Sequence, residues 1–399
     1  MRASVVIGSN FGDEGKGITT DYIASTGKKS LVVRFNGGAQ AGHTVELADG
    51  RRHVFSHFGS GTMTGAHTFL SKHFIVNPSF FLKEREALVK LGFYPDVLVD
   101  NRAFVTTPFD ILINRALEEQ RGTARHGSVG LGINETVTRS LAEDGQFKIT
   151  PDDLRKGRNH LADRLYDIEE NYIYDRLEAL GLHIVLDPPD ELITQWIDDA
   201  SSFCDKVTFV EKVSELSHFM YDCIVFEGAQ GLLLDEDHEY FPHVTRSKTG
   251  IHNAMQVARE MGFISGLDVH YVTRPYMTRH GAGPFPTYVE GMKLTDETNV
   301  PNDWQETMKF GKLDVAAWAR EVEADLLPFA DHKGVPWIAT VIPVLTWFEH
   351  DGKYVDVLYH GEAWMSYLAL ARLLSHEVQS TATLVFRGKT RESAAVVLI

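Results

Sequence analysis

The stretch Ser4–Asp21, SVVIGSNFGDEGKGITTD, constrains the fold of this chain more than any other. Ser4–Gly8 is a short β-branched run of the kind that makes a buried strand. Ser9–Gly17 then sets Gly12, Gly15 and Gly17 around Asp13, Glu14 and Lys16, and a polar, amphipathic segment begins at Ile18. Strand, glycine-rich loop and helix start together make a phosphate cradle. Glycines let backbone N–H groups approach an anion, the helix N-terminus adds partial positive charge, and a lysine adds a full one. The spacing is not that of the common P-loop, because Gly17 stands where a Ser or Thr hydroxyl belongs. Another group must then hold a magnesium ion, and Asp13 is the candidate. Taken alone, such a loop is more often a purely structural strand–helix turn.

A second glycine-rich element, Arg34–Thr44 (RFNGGAQAGHT), follows the apolar run Ser30–Val33. It carries Gln40 and His43. A loop with His and Gln beside a loop with Asp and Lys reads as an acid/base pair next to a phosphate site.

These residues carry a family resemblance. GDEGKG at Gly12–Gly17 and GGAQAGHT at Gly37–Thr44 resemble the two N-terminal signatures of the adenylosuccinate synthetases. FEGAQGLLLD at Phe226–Asp235 resembles the third and TRHGAGPFPT at Thr278–Thr287 the fourth, in family order. The fold implied is α/β: a single large domain over residues 1–399 with a central, mostly parallel sheet flanked by helices.

The resemblance also implies a chemistry. Asp13 would remove the N1 proton of a 6-oxopurine nucleotide. His43 would stabilise and protonate the oxygen so that it takes the γ-phosphate, and the amine of L-aspartate would displace that phosphate at C6. Lys16 would supply phosphate charge. Mg2+ would bridge the phosphates, held by Asp13 and the Gly42 carbonyl. Asn10, Gly12, Glu14, Gly15, Gly17, Gln40, Ala41, Thr44, Gly281 and Gly388 fall in the nucleotide-binding loops. In the loop Gly122–Glu135, Ser128 fits a phosphate hydroxyl donor, while Val129 and Leu131 stand where the family has Thr and Arg. Arg139 matches either the arginine that reaches a neighbour's nucleotide across a homodimer or a solvated helix arginine. Gln230 resembles the glutamine that meets the purine's six-position oxygen, and Thr245 the threonine on the nucleotide phosphate.

Two departures bear on substrate. Asn299–Asp314 lacks the arginine-rich run that holds aspartate near the substrate ribose. Trp337–Trp347 lacks the Thr-Lys-Leu-Asp signature that reads the guanine of GTP, which points to ATP or dATP as donor. The favoured acceptor is therefore dGMP, as in phage enzymes that make the precursor of 2-aminoadenine. Retention of Asp13 counts against this, since some phage members carry Ser there. IMP is the alternative acceptor, and a catalytically inactive nucleotide-binding homologue is a further reading.

Composition excludes other classes. A formal charge of −16 argues against a nucleic-acid surface. No apolar stretch is long enough to span a bilayer. Two cysteines, Cys204 and Cys223, leave no disulfide framework and no zinc site and fit a reducing cytoplasm. The chain opens on a strand, so no signal peptide is expected. Among the other elements, pattern predicts a surface helix over Asn159–Leu180, a strand over Leu182–Leu186 and a helix over Val210–Tyr221. It also predicts a hairpin over Asp351–Gly361, a helix over Glu362–Glu377 and a closing strand at Thr383–Phe386.

Overall fold

Four short runs, Val5–Ile7, Leu31–Val33, Ile224–Phe226 and Val269–Val272, are apolar at nearly every position, and they form the centre of one sheet. In a strand, alternate residues face opposite ways, so a continuous apolar run is stable only when both faces are covered. Val5, Val33, Phe226 and Val269 feed one core, while Val6, Val32, Val225 and Val272 feed the opposite one. The computed structural model describes residues 2–122, 130–186, 188–218, 221–262, 266–292, 294, 308–329, 338–347 and 352–399.

The main sheet has ten strands. Their order is Ala394–Leu398, Ala382–Phe386, Ile338–Thr346, Leu267–Thr273, Arg2–Gly8, Cys223–Glu227, Ser30–Arg34, His67–Leu70, Val97–Asp100, Thr208–Val210. Every pairing is parallel except the last strand against Ala382–Phe386. This is the mostly parallel, helix-flanked α/β fold the sequence predicts. Because neighbours run the same way, the C-terminal ends of five adjacent central strands open onto one edge. That edge is where open α/β sheets place ligands. No described helix is long and apolar enough to cross a membrane.

Several elements differ from expectation. Leu182–Leu186 is not a strand. The Leu182 amide instead bonds the Leu177 carbonyl and closes the preceding helix, and Val185 is 91% exposed. The sheet edge nearby is taken by Thr208–Val210, which pairs with Val97–Asp100. Val210–Tyr221 is not an α-helix; it holds one 3-10 helix, Val213–His218. The Asn159–Leu180 helix forms, with a π-turn at Glu169–Ile173, and buries Leu161, Leu165, Ile168 and Leu177. The hairpin lies later, at Val355–Leu358 and Glu362–Met365, so the next helix starts at Tyr367 behind Ser366, whose hydroxyl accepts from the Ala369 amide. Thr383–Phe386 does not close the sheet, because Ala394–Leu398 adds an antiparallel edge.

Arg139 needs the clearest correction. It is neither solvated nor available to a partner, being fully buried. Its Nε donates to Asp110 Oδ1 at 2.9 Å and its Nη2 to Asp110 Oδ2 at 2.8 Å. Nη1 donates to the Phe147 carbonyl and Nη2 to that of Val105. Removing one member of such a buried pair strands the other charge, at a cost of about 3–5 kcal/mol. Arg139→Met is therefore expected to lower unfolding stability by that amount in urea at pH 7, while nucleotide affinity measured by equilibrium dialysis stays at the wild-type value.

A second buried charge holds the segment that follows the His43–Glu46/Arg52–Phe55 hairpin. Glu84, on the helix Pro78–Lys90, accepts the amides of Ser56 at 2.8 Å and His57 at 2.7 Å. Burial pushes its carboxyl up, but His53 and His57 outweigh that and bring it down to about 2. A depressed carboxyl stabilises the fold above its unfolded pKa, and that stability is lost as pH falls through the folded value. Glu84→Gln should thus cost on the order of 1–3 kcal/mol near pH 7. The gap to wild type, followed by urea midpoints at successive pH values, should narrow below about pH 4.5.

Candidate active site

The first loop leaves the Arg2–Gly8 strand and enters the helix Lys16–Ser25. Glu14 organises it from within. Its Oε1 accepts the amides of Asn10 and Gly12, each at 2.9 Å, and its Oε2 lies 3.3 Å from Lys16 Nζ. Both side chains are nearly fully buried, and burial pushes the Glu14 carboxyl up. The cradle amides of Asn10 and Gly12 therefore meet an internal carboxylate. Asp13 sits at φ 61°, in the left-handed region. Its carboxylate Oδ2 lies 3.1 Å from His280 Nε2. Burial raises the Asp13 pKa, but His280, with the charges of Lys16 and Arg274, brings it below the usual carboxylate range.

Gly17 explains the missing hydroxyl. A Cβ there would stand 2.7 Å from the Thr44 carbonyl oxygen and 3.2 Å from the His43 carbonyl carbon. Only glycine lets the second loop pack this closely on the first helix. Gly15, at φ 101°, lies against Thr346, whose hydroxyl donates to the Glu14 carbonyl at 2.6 Å.

The second loop brings His43 to a buried dyad. His43 Nδ1 is 2.7 Å from Glu227 Oε1, and Glu227 is fully buried at the end of its strand. The Ser60 amide donates to Glu227 Oε2 at 3.0 Å and the Ser60 hydroxyl to Oε1. Burial pushes His43 below its ordinary range, against the pull of Glu227. Burial also pushes Glu227 up, but the charges of His43 and Arg34 and the bonds from His43 and Ser60 hold it down. Asn36 fastens the second loop to the third. Its Nδ2 donates to the Ala229 and Lys248 carbonyls, and its Oδ1 accepts the Ala229 amide.

Gln40 and Gln230 meet across Gly37. A Cβ at Gly37 would be 3.4 Å from Gln230 Oε1 and 3.6 Å from Gln40 Nε2. Both glutamine amides carry buried polar atoms without a partner among the described residues. Buried polar groups are normally hydrogen-bonded, so two such amides facing one space mark a polar ligand site. Gln230 is itself at φ 57°.

The remaining expected residues divide. Ala41 is buried beside Gly42, and Thr44 lies in the strand His43–Glu46. Thr245 is tied to the third loop, its amide donating to the Leu234 carbonyl. Gly281 accepts from Lys309 Nζ at 3.0 Å, and Gly388 from the Ser393 hydroxyl at 3.0 Å. Leu131 is buried. Ser128 and Val129 lie outside the described residues, as does most of the arginine-free stretch, residues 295–307. Arg139 is no part of the site. Pattern reading overlooked Glu227, Ser60, Asn36 and His280. The first two had no local signal beyond lying within or near conspicuous glycine loops.

Among the described residues no group of three or more His, Cys, Asp or Glu side chains could hold a metal. That is compatible with Mg2+, which takes one or two carboxylates and leaves the rest of its shell to phosphates and water. The donors that the resemblance implies, the Asp13 carboxylate and the Gly42 carbonyl, are hard oxygens of the kind it prefers.

The comparisons agree with this architecture. The family model for adenylosuccinate synthetase matches residues 5–320. The adenylosuccinate synthetase of Mesoplasma florum is 32% identical over 303 residues, 72% of this chain and 65% of that one. The Porphyromonas gingivalis enzyme of the same name is 31% identical over 310 residues, 74% of this chain and 67% of its own. The chain thus spans about two thirds of the length of the curated relatives it matches. A fully ligated adenylosuccinate synthetase from Plasmodium falciparum shares the fold, with a TM-score of 0.73 at 15% identity and full coverage of both chains. The succinoaminodeoxyadenylate synthetase of cyanophage S-2L, solved with dGMP and dATP, gives 0.60 at 15% identity, over 99% of this chain and 95% of that one. On the matched model and on these relatives, this chain belongs to the adenylosuccinate synthetase family.

Proposed function

We propose that this protein is a C–N ligase that joins L-aspartate to C6 of a 6-oxopurine nucleoside monophosphate, with hydrolysis of a nucleoside triphosphate. The observation that carries this reading is the convergence of Asp13 and Lys16 on one loop with His43, backed by Glu227, on the next.

Asp13 is the base for the purine N1 proton. As that proton leaves, the six-position oxygen gains charge and attacks the γ-phosphorus, and the bond to the nucleoside diphosphate breaks. Glu227 takes up Nδ1 of His43 and so directs Nε2 to the substrate oxygen, a second group fixing the first. The aspartate amine then attacks C6, and phosphate leaves with the former purine oxygen. Gln40 and Gln230 supply amide groups for the purine edge. Asp13 and the Gly42 carbonyl would hold Mg2+, which neutralises phosphate charge when bound. The protein acts as a cytoplasmic homodimer, with Arg139 taking no part in the partner's site.

For the donor we favour an adenine nucleotide. Trp347 follows Thr346 where the family has Lys. It is buried, with its indole N–H donating to the Gly352 carbonyl at 2.9 Å, and it offers a base neither charge nor acceptor. Glu349, three residues after Thr346, favours GTP instead. For the acceptor we favour dGMP. The arginine-free stretch Asn299–Asp314 removes groups that would meet a ribose, and an unpaired, desolvated 2′-hydroxyl costs about 1–3 kcal/mol. The phage S-2L enzyme shows that a chain of this fold can take dGMP and dATP. The names of the sequence relatives favour the second reading, in which IMP is the acceptor.

Phosphate release measured with IMP, dIMP, GMP and dGMP against ATP, dATP and GTP, with aspartate present, is expected to be fastest with dGMP and an adenine donor. IMP ahead of dGMP by about tenfold would establish the second reading. Asp13→Ala and His43→Ala should each lower kcat by about a hundred- to ten-thousand-fold in a folded protein. Glu227→Gln should lower it by about ten- to a hundredfold, and rates of all three near wild type would refute the mechanism.

A further inference from the structure

We propose that His280 is a positioning residue for Asp13, holding its carboxylate in the orientation from which it meets the substrate. The inference rests on the ligase reading above and deepens it.

Asp13 sits at φ 61°, a backbone conformation uncommon for residues other than glycine, though Asp adopts it more readily than most. The segment after Leu267–Thr273 holds it in place. Arg274 Nε donates to the Asp13 carbonyl at 2.6 Å, and the Thr278 hydroxyl donates to the Gly12 carbonyl at 3.0 Å. Those bonds fix the backbone but leave the carboxylate able to turn about its own two side-chain torsions. His280 acts on the carboxylate itself, through the 3.1 Å contact to Oδ2. That leaves Oδ1, with its two lone pairs, for the purine N1–H and for the Mg2+ that Asp13 would hold.

The other charged groups facing Asp13 are engaged elsewhere. Lys16 pairs with Glu14, and Arg274 Nη1 donates to the Tyr276 hydroxyl at 2.7 Å. His280 is itself rigidly placed. It directly follows the strand Tyr276–Arg279, where it continues the face of Thr278, two residues before it. That strand pairs antiparallel with Lys309–Lys312, and Lys309 Nζ fastens the next residue by its carbonyl. The role needs no change of charge on His280, only a fixed donor at a fixed distance.

The test compares His280→Ala with His280→Gln, which keeps an N–H donor of similar reach, using the acceptor and donor that the wild type prefers. Expected are a fall in kcat of about ten- to a hundredfold for His280→Ala, nucleotide KM within about threefold, unchanged thermal unfolding, and recovery of most of the rate in His280→Gln. A His280→Ala enzyme with wild-type kcat, or a His280→Gln enzyme as slow as His280→Ala, overturns the positioning role while the ligase reading stands. A loss confined to KM overturns it too, by making His280 a binding group. A wild type that releases no phosphate with any acceptor and donor overturns the ligase reading and this role with it.

Discussion

One buried anion, the carboxylate of Glu227, sets the terms for the centre of this molecule. A charge removed from water is tolerated only when paired and hydrogen-bonded. Glu227 draws its partners from across the chain: His43 from the second glycine loop, the amide and hydroxyl of Ser60 from the turn beyond it, and the facing charge of Arg34. None of these could shift far without leaving that charge uncompensated. The register of the strands fixes where they meet, since Glu227 lies directly beside Arg34 on one side and Val6 on the other.

Around that point the parallel sheet does the rest. Five neighbouring strands end on one edge, and each hands its chain to a loop that touches the next. Asn36 ties the second loop to the third, Thr346 ties the end of the Ile338–Thr346 strand to the first loop, and Arg274 ties the segment after Leu267–Thr273 to Asp13. The loops that carry the residues read as catalytic are thus fastened to one another by side chains that donate to main-chain carbonyls.

Much of this was legible in the sequence. The apolar runs Leu31–Val33 and Ile224–Phe226 have no polar face, so they had to be central strands, and the glycine spacings marked the loops that follow. What escaped was set by distant partners. His43 and Glu227 are 184 residues apart, and no local periodicity announces their bond. Arg139 looked like a surface residue because its helix is amphipathic, yet Asp110 and two carbonyls from other segments draw it inside. Leu182–Leu186 had the composition of a strand, but the Leu182 amide closes the preceding helix on the Leu177 carbonyl and Val185 faces solvent.

The Glu14 carboxylate gives the first loop a property that the glycine pattern alone would not. The loop folds around a negative charge of its own, tethered two residues from Gly12 and Lys16. Its shape is therefore rehearsed on an internal guest, and the entropy of ordering a glycine-rich segment is lost once, during folding. An incoming anion that seeks the same amides enters as a rival to a resident one. An anion could reach the Asn10 and Gly12 amides only by displacing the Glu14 carboxylate from them.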